Sequence, residues 1–182
     1  MLTYGGGMTR TLTAALGALS LSLLLAGCIT VNVPPVSGPG PVGTPGNDDD
    51  KRVAVSCTEK TVTLNEPGVN YVVTGDCDEV IIEGRDIEAR IEKADSLVIR
   101  GDDNDVDIAE LDSVLINGQG NDVEVTNTAT LATVEVSGNE NDVSANGSIG
   151  GVVINGNEND IEHNGSLDSL SDNGNGNTTG SN

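Results

Sequence analysis

Leu97-Val-Ile-Arg-Gly-Asp-Asp-Asn-Asp-Val106, Val114-Leu-Ile-Asn-Gly-Gln-Gly-Asn-Asp-Val123, Val134-Glu-Val-Ser-Gly-Asn-Glu-Asn-Asp-Val143 and Val152-Val-Ile-Asn-Gly-Asn-Glu-Asn-Asp-Ile161 are one segment written four times. Their glycines, Gly101, Gly118, Gly138 and Gly156, stand 17, 20 and 18 residues apart, a solenoid period rather than the spacing of a globular α/β core. Aligned on glycine, the position four before it reads Val80, Leu97, Val114, Val134, Val152, and the position two before reads Ile82, Ile99, Ile116, Val136, Ile154. Strand alternation points both columns inward. After the corner, Val106 and Ile108, Val123 and Val125, Val143 and Ala145, and Ile161 begin a second inward strand. One repeat cannot bury its aliphatic face alone, whereas stacked coils bury a continuous column. The expected fold is all-β, a small parallel β-helix with coils of about 17–20 residues.

The composition suits that fold and excludes several functions. The 182-residue chain has no Phe, no Trp and only Tyr4 and Tyr71, so a core must come from Val, Ile, Leu and Ala. It carries 8 Lys+Arg against 29 Asp+Glu, a formal charge of −21. Arg10 is the only charged residue before Cys28, so the remainder, with 7 cations against 29 acids, carries −22. Nucleic acid is an unsuitable partner, because its affinity comes largely from cationic side chains displacing phosphate counterions. From Gly101 onward there are 16 acids, no Lys, no Arg and the single His163.

The N-terminus reads as an export signal. Thr9-Arg10 precedes an uncharged apolar run from Leu12 to Ala26, and Met8 offers a second start. The run ends in Leu25-Ala26-Gly27-Cys28, which resembles a bacterial lipobox with Cys28 as the diacylated mature N-terminus. Two acyl chains on one residue meet the requirement for stable anchoring, so the expected address is the extracytoplasmic face of the cell membrane. Residues 1–27 are then the signal. Residues 28–52, holding five of the six prolines and Asp48-Asp49-Asp50, read as a disordered tether. The solenoid is expected over 53–170 and a disordered Ser/Asn/Gly tail over 171–182.

Three cysteines in an exported chain leave one over, and the lipobox accounts for it. Cys57 and Cys77, about one coil apart, are then expected to pair and to bridge neighbouring coils at the N-terminal end. By loop-closure entropy such a bridge contributes roughly 3 kcal/mol. The lipobox, a cysteine before an alternating strand, Gly75-Asp76-Cys77 and the Gly-x-x-Asn-x-Val coils together resemble the actinobacterial exported proteins of domain of unknown function 3060, over roughly Val53 to Ile161. The resemblance implies an address and a repeated β fold; the family has no established activity. Gly84-Arg-Asp-Ile87 departs from the pattern, reading as a corner two residues short and without the Asn-Asp pair.

Two surface features invite function. The position three before glycine, outward by alternation, reads Ile81, Val98, Leu115, Glu135, Val153. Four aliphatics on an outer face suggest an association surface for another envelope protein or a second copy; the competing reading is that β-branched residues merely favour strand. The corner pairs Asn104-Asp105, Asn121-Asp122, Asn141-Asp142 and Asn159-Asp160 should form columns at ~4.8 Å. Stacked Asn suits left-handed corners and amide bonding along the column. Stacked Asp105, Asp122, Asp142 and Asp160 repel, by about 1 kcal/mol per pair in water. Relief comes either from Asx-turns and solvent or from bound Ca²⁺. Calcium β-rolls repeat every nine residues with the aliphatic two after Asp, whereas Val123 follows Asp122 directly. No cofactor is otherwise implied. Enzyme readings lack a basic residue beside these carboxylates, and His163 occupies the core slot of Ile108, Val125 and Ala145. The sequence therefore points to a lipid-anchored, non-enzymatic envelope protein, with Ca²⁺ binding through the Asp column as the alternative.

Overall fold

The structure, a computed structural model, describes residues 52–57, 60–127 and 130–181. The signal, Cys28 and the tether lie outside the described residues. Among the described residues there are twelve strands and no helix: β1 (Arg52–Ser56), β2 (Thr61–Leu64), β3 (Asn70–Ile82), β4 (Glu88–Ile99), β5 (Asp105–Ile116), β6 (Asp122–Val125), β7 (Leu131–Val136), β8 (Asp142–Ala145), β9 (Ile149–Ile154), β10 (Asp160–His163), β11 (Leu167–Asp172) and β12 (Thr178–Ser181). All pairings are parallel and close one β-solenoid of about seven turns. Each coil has a first strand, a bend, a second strand and a corner. The first strands stack in the order β1-β3-β4-β5-β6-β8-β10-β12, and the second strands stack from β2 to β11. In β3, β4 and β5 one unbroken strand runs through the bend.

The register explains the uneven period. Asp105, Asp122, Asp142 and Asp160 are direct lateral partners, as are Ile116, Val136 and Ile154. The extra residues of the 18- and 20-residue coils therefore enter at the bend and leave the corner unchanged. Every inward residue expected of both strands is buried. A third buried column fills the bend: Cys77, Ala94, Leu111, Leu131 and Ile149, each seven residues before its corner glycine.

The corner glycines are required by close approach. A Cβ on Gly101, Gly118, Gly138, Gly156 or Gly174 would stand 1.6–1.8 Å from the carbonyl oxygen of the glycine one coil earlier. The left-handed residue is a different one. Asp86, Asp103, Glu140 and Glu158 have φ of 54–57°, in line with Gly120 and Gly176 at 63° and 71°. Asparagine was expected to suit the left-handed corner, but Asn104, Asn121, Asn141 and Asn159 instead turn inward and are 1% exposed. Each amide nitrogen donates to the Oδ1 of the next asparagine at 2.9–3.0 Å and to the glycine carbonyl of the preceding corner at 3.0–3.2 Å. Each Oδ1 also accepts a backbone N–H from the preceding coil. The amide is thereby fully bonded, which is what a buried polar group needs.

Two further sequence expectations are overturned. The corner at Gly84–Ile87 is not short: Glu88 pairs with Asp105, and Asp86 takes the left-handed place of Asp103. Ile87, 1% exposed, simply fills the asparagine slot. Residues 171–182 were expected to be disordered, yet β11 continues to Asp172 and β12 pairs with β10. Apolar burial does not hold this coil, for Leu170 is 47% exposed. The amide ladder does: Asn159 donates to Asn177 Oδ1 at 3.0 Å, and Asn177 donates to Gly156 O at 2.9 Å.

Candidate functional site

The Cys57–Cys77 disulfide is formed, with Cα atoms 5.3 Å apart. It joins the end of β1 to the bend of β3, beside the Cys57 N–H to Thr74 O hydrogen bond. It thus ties the first coil to the second, as the spacing implied. Cys28 lies outside the described residues.

Asp105, Asp122 and Asp142 begin successive first strands and point outward, exposed; Asp160 continues the column, half-buried. The expected Asx-turn relief is not formed, because no backbone N–H among the described residues donates to these carboxylates. Enclosure between the coils, followed by repulsion from neighbouring acids, raises Asp105, Asp122 and Asp142. The Asp122 carboxyl is pushed up, first by partial desolvation between coils and then by Asp105, Glu124 and Asp107. Asp142 is pushed up by the same enclosure, then by Asp122, Asp160 and Glu162. Asp105 rises through enclosure, Asp107 and Glu88, with Arg90 opposing. Oδ1 of Asp160 is enclosed without a hydrogen-bond partner among the described residues. Sequence reasoning missed the neighbouring outward column, Asp107, Glu124, Ser144 and Glu162, two residues on in the same strands. Its signal was available in the alternation. The four Asp proposed as Ca²⁺ ligands stand one per coil and do not converge. Among the described residues no group of three or more His, Cys, Asp or Glu is placed to hold a metal ion.

The charges are segregated along the axis. In the early coils cations sit between stacked acids: Lys60 with Asp78, Lys93 between Asp76 and Glu110, Arg90 between Glu88 and Asp107, and Arg100 with Glu83. From Gly101 onward no Lys or Arg exists to do this.

The apolar stripe is in register as expected: Ile81, Val98 and Leu115 are lateral partners, followed by Glu135 and Val153. Its expected solvation holds only in part. Val98 is 6% exposed and Ile81 and Leu115 are half-buried, whereas Val153, beyond Glu135, is 38% exposed. The stripe is therefore a three-coil band with a detached fourth member. His163 stands in the core slot beside Ala145, and its Nδ1 lies 3.0 Å from Gly165 O. A donor is needed there, so the ring is a structural end to that column.

Residues 67–118 match the family DUF3060, described as a protein of unknown function. The matched segment holds the second coil's bend, the bridge partner Cys77, the whole Ile81–Val98–Leu115 band, the Gly84–Ile87 corner and the first asparagine of the ladder, Asn104. No curated protein and no solved structure matches the chain.

Proposed function

We propose that this chain is a lipid-anchored protein of the cell envelope, of the actinobacterial exported kind its coils resemble, and that it acts without catalysis by binding a partner through the outer face of its second strands. The observation that supports this is the band itself: three successive coils place Ile81, Val98 and Leu115 in lateral register on an outward face, where alternation calls for polar residues. Anchoring through Cys28 and the tether of 28–52 would hold this face outside the membrane. The partner is another envelope protein or a second copy. With −22 on the chain from Cys28 onward, self-association should strengthen as salt screens the repulsion.

Two measurements test this. Cys28→Ala should lose lipid labelling and leave the membrane fraction; an unchanged labelled band rejects the anchor. Sedimentation of the unlipidated chain across salt, with Leu115→Asp alongside, tests the face. If wild type stays monomeric at high salt and Leu115→Asp recovers the same partners in a pull-down, the band is only strand-forming sequence. A second reading, divalent-cation binding along Asp105, Asp122, Asp142 and Asp160, is supported by the enclosed Oδ1 of Asp160, unpartnered among the described residues. Calorimetric titration with Ca²⁺ decides it, and absence of saturable heat sinks it.

A further inference from the structure

Six Asn-Gly pairs lie in the described chain, at 117–118, 146–147, 155–156, 164–165, 173–174 and 175–176. Asn-Gly is the dipeptide in which intramolecular attack on the side-chain amide is least hindered, because glycine presents no Cβ beside its nitrogen. The attack needs an exposed glycine nitrogen that is free to lose its proton, and the structure sorts the six on that criterion. Gly118, Gly147 and Gly156 are buried. Gly165 donates its N–H to Gly147 O at 2.9 Å, and Gly174 donates its N–H to Asp172 Oδ1 at 2.9 Å. Gly176 is exposed, sits at φ 71°, and donates its N–H to no described residue. In earlier coils the equivalent N–H is engaged: Gly120 with Asn139 O, Glu140 with Asn157 O and Glu158 with Asn175 O.

We propose that Asn175 is a site of spontaneous covalent modification, converted through a succinimide to aspartate and isoaspartate. The Gly176 nitrogen bonds to Asn175 Cγ, the Cγ–Nδ2 bond breaks, and Nδ2 leaves as ammonia with the proton from Gly176. One water then opens the ring at either carbonyl. The change is local but consequential. Asn175 donates both its N–H and its Nδ2 to Asn157 Oδ1, at 3.1 and 3.3 Å. A carboxylate there sets acceptor against acceptor, and the iso form adds a backbone carbon between this corner and β12.

Peptide mapping of the full folded chain through incubation at mildly alkaline pH tests this. Asn175 should lose ammonia several-fold faster than any of the other five, while in urea the six should converge. The modified species should also lose amide-exchange protection over Thr178–Ser181. Asp172→Ala, which frees the Gly174 N–H, should raise conversion at Asn173. The proposal is overturned if another pair keeps pace with Asn175 in the folded chain, if folded and unfolded profiles coincide, or if Asp172→Ala leaves Asn173 unchanged.

Discussion

Replacing Asn141 with alanine should be among the most damaging single changes in this solenoid. The Asn141 amide nitrogen donates to Gly118 O and Asn159 Oδ1, and its Oδ1 accepts the N–H and the Nδ2 of Asn121, all at 3.0–3.1 Å. Truncation leaves Asn159 Oδ1 with the Asn141 backbone N–H. It orphans the Asn121 N–H, one Asn121 amide hydrogen and Gly118 O, in a corner whose asparagines are 1% exposed. At about 1–3 kcal/mol for each buried orphan, and less than full additivity, the loss should be about 3–6 kcal/mol. That is a large part of the ~5–15 kcal/mol that holds a typical domain together. Urea unfolding of the unlipidated chain, followed by far-UV circular dichroism, reads it directly. A loss under about 1 kcal/mol would refute the reasoning, since it would mean that water enters the corner and satisfies those groups.

Three further outcomes follow from the same geometry. Gly138→Ala places a Cβ 1.7 Å from Gly118 O, against backbone that cannot yield without shifting the stack, so it should cost at least ~3 kcal/mol in the same assay. Asp122→Asn should stabilise at neutral pH by up to about 1 kcal/mol, because it removes repulsion with exposed neighbours at ~4.8 Å. The sign follows from the raised carboxyl: the folded state binds its proton more readily, so stability rises as pH falls through the window above the ordinary 3.8, and the substitution should flatten that slope. Replacing both Cys57 and Cys77 with alanine should lower stability by roughly 3 kcal/mol, with exchange protection lost first in β1.

Much of the fold was legible because glycine and asparagine recur in a fixed frame while the aliphatics alternate around them. The inward columns at Val114 and Ile116 follow from that frame alone. The third column was equally available, since Leu111, Leu131 and Ile149 each stand seven before glycine, but the bend between strands hides their alternation. The corner at Ile87 was misjudged because pattern-matching sought an Asn-Asp pair, whereas the backbone needs only glycine, a left-handed residue and something that fills the slot. The last coil was misjudged for the opposite reason. Its composition matches a disordered tail, yet Gly174 and Asn177 repeat the frame, and a buried amide chain can hold a coil with few aliphatics. The outer faces were the least legible part. Alternation says which way Val98 points, but its burial depends on Ile81 and Leu115 standing in register on either side, which becomes certain only when the strands are paired.

The amide ladder also has a direction. From Asn104 to Asn159 every Nδ2 donates one hydrogen to the next coil's Oδ1, so the side-chain dipoles add along the axis like peptide dipoles in a helix. One flipped amide would set two donors face to face on one side and two acceptors on the other, which makes the orientation of the column all-or-none. The electropositive end of this column is Asn177. There the sequence breaks the aliphatic series of Ile116, Val136 and Ile154 and supplies Asp172, whose carboxylate accepts the Asn177 amide at 2.7 Å. A carboxylate at the donor end of an aligned dipole is the arrangement that caps the N-terminus of an α-helix, reproduced here by side chains in a protein with no helix among its described residues.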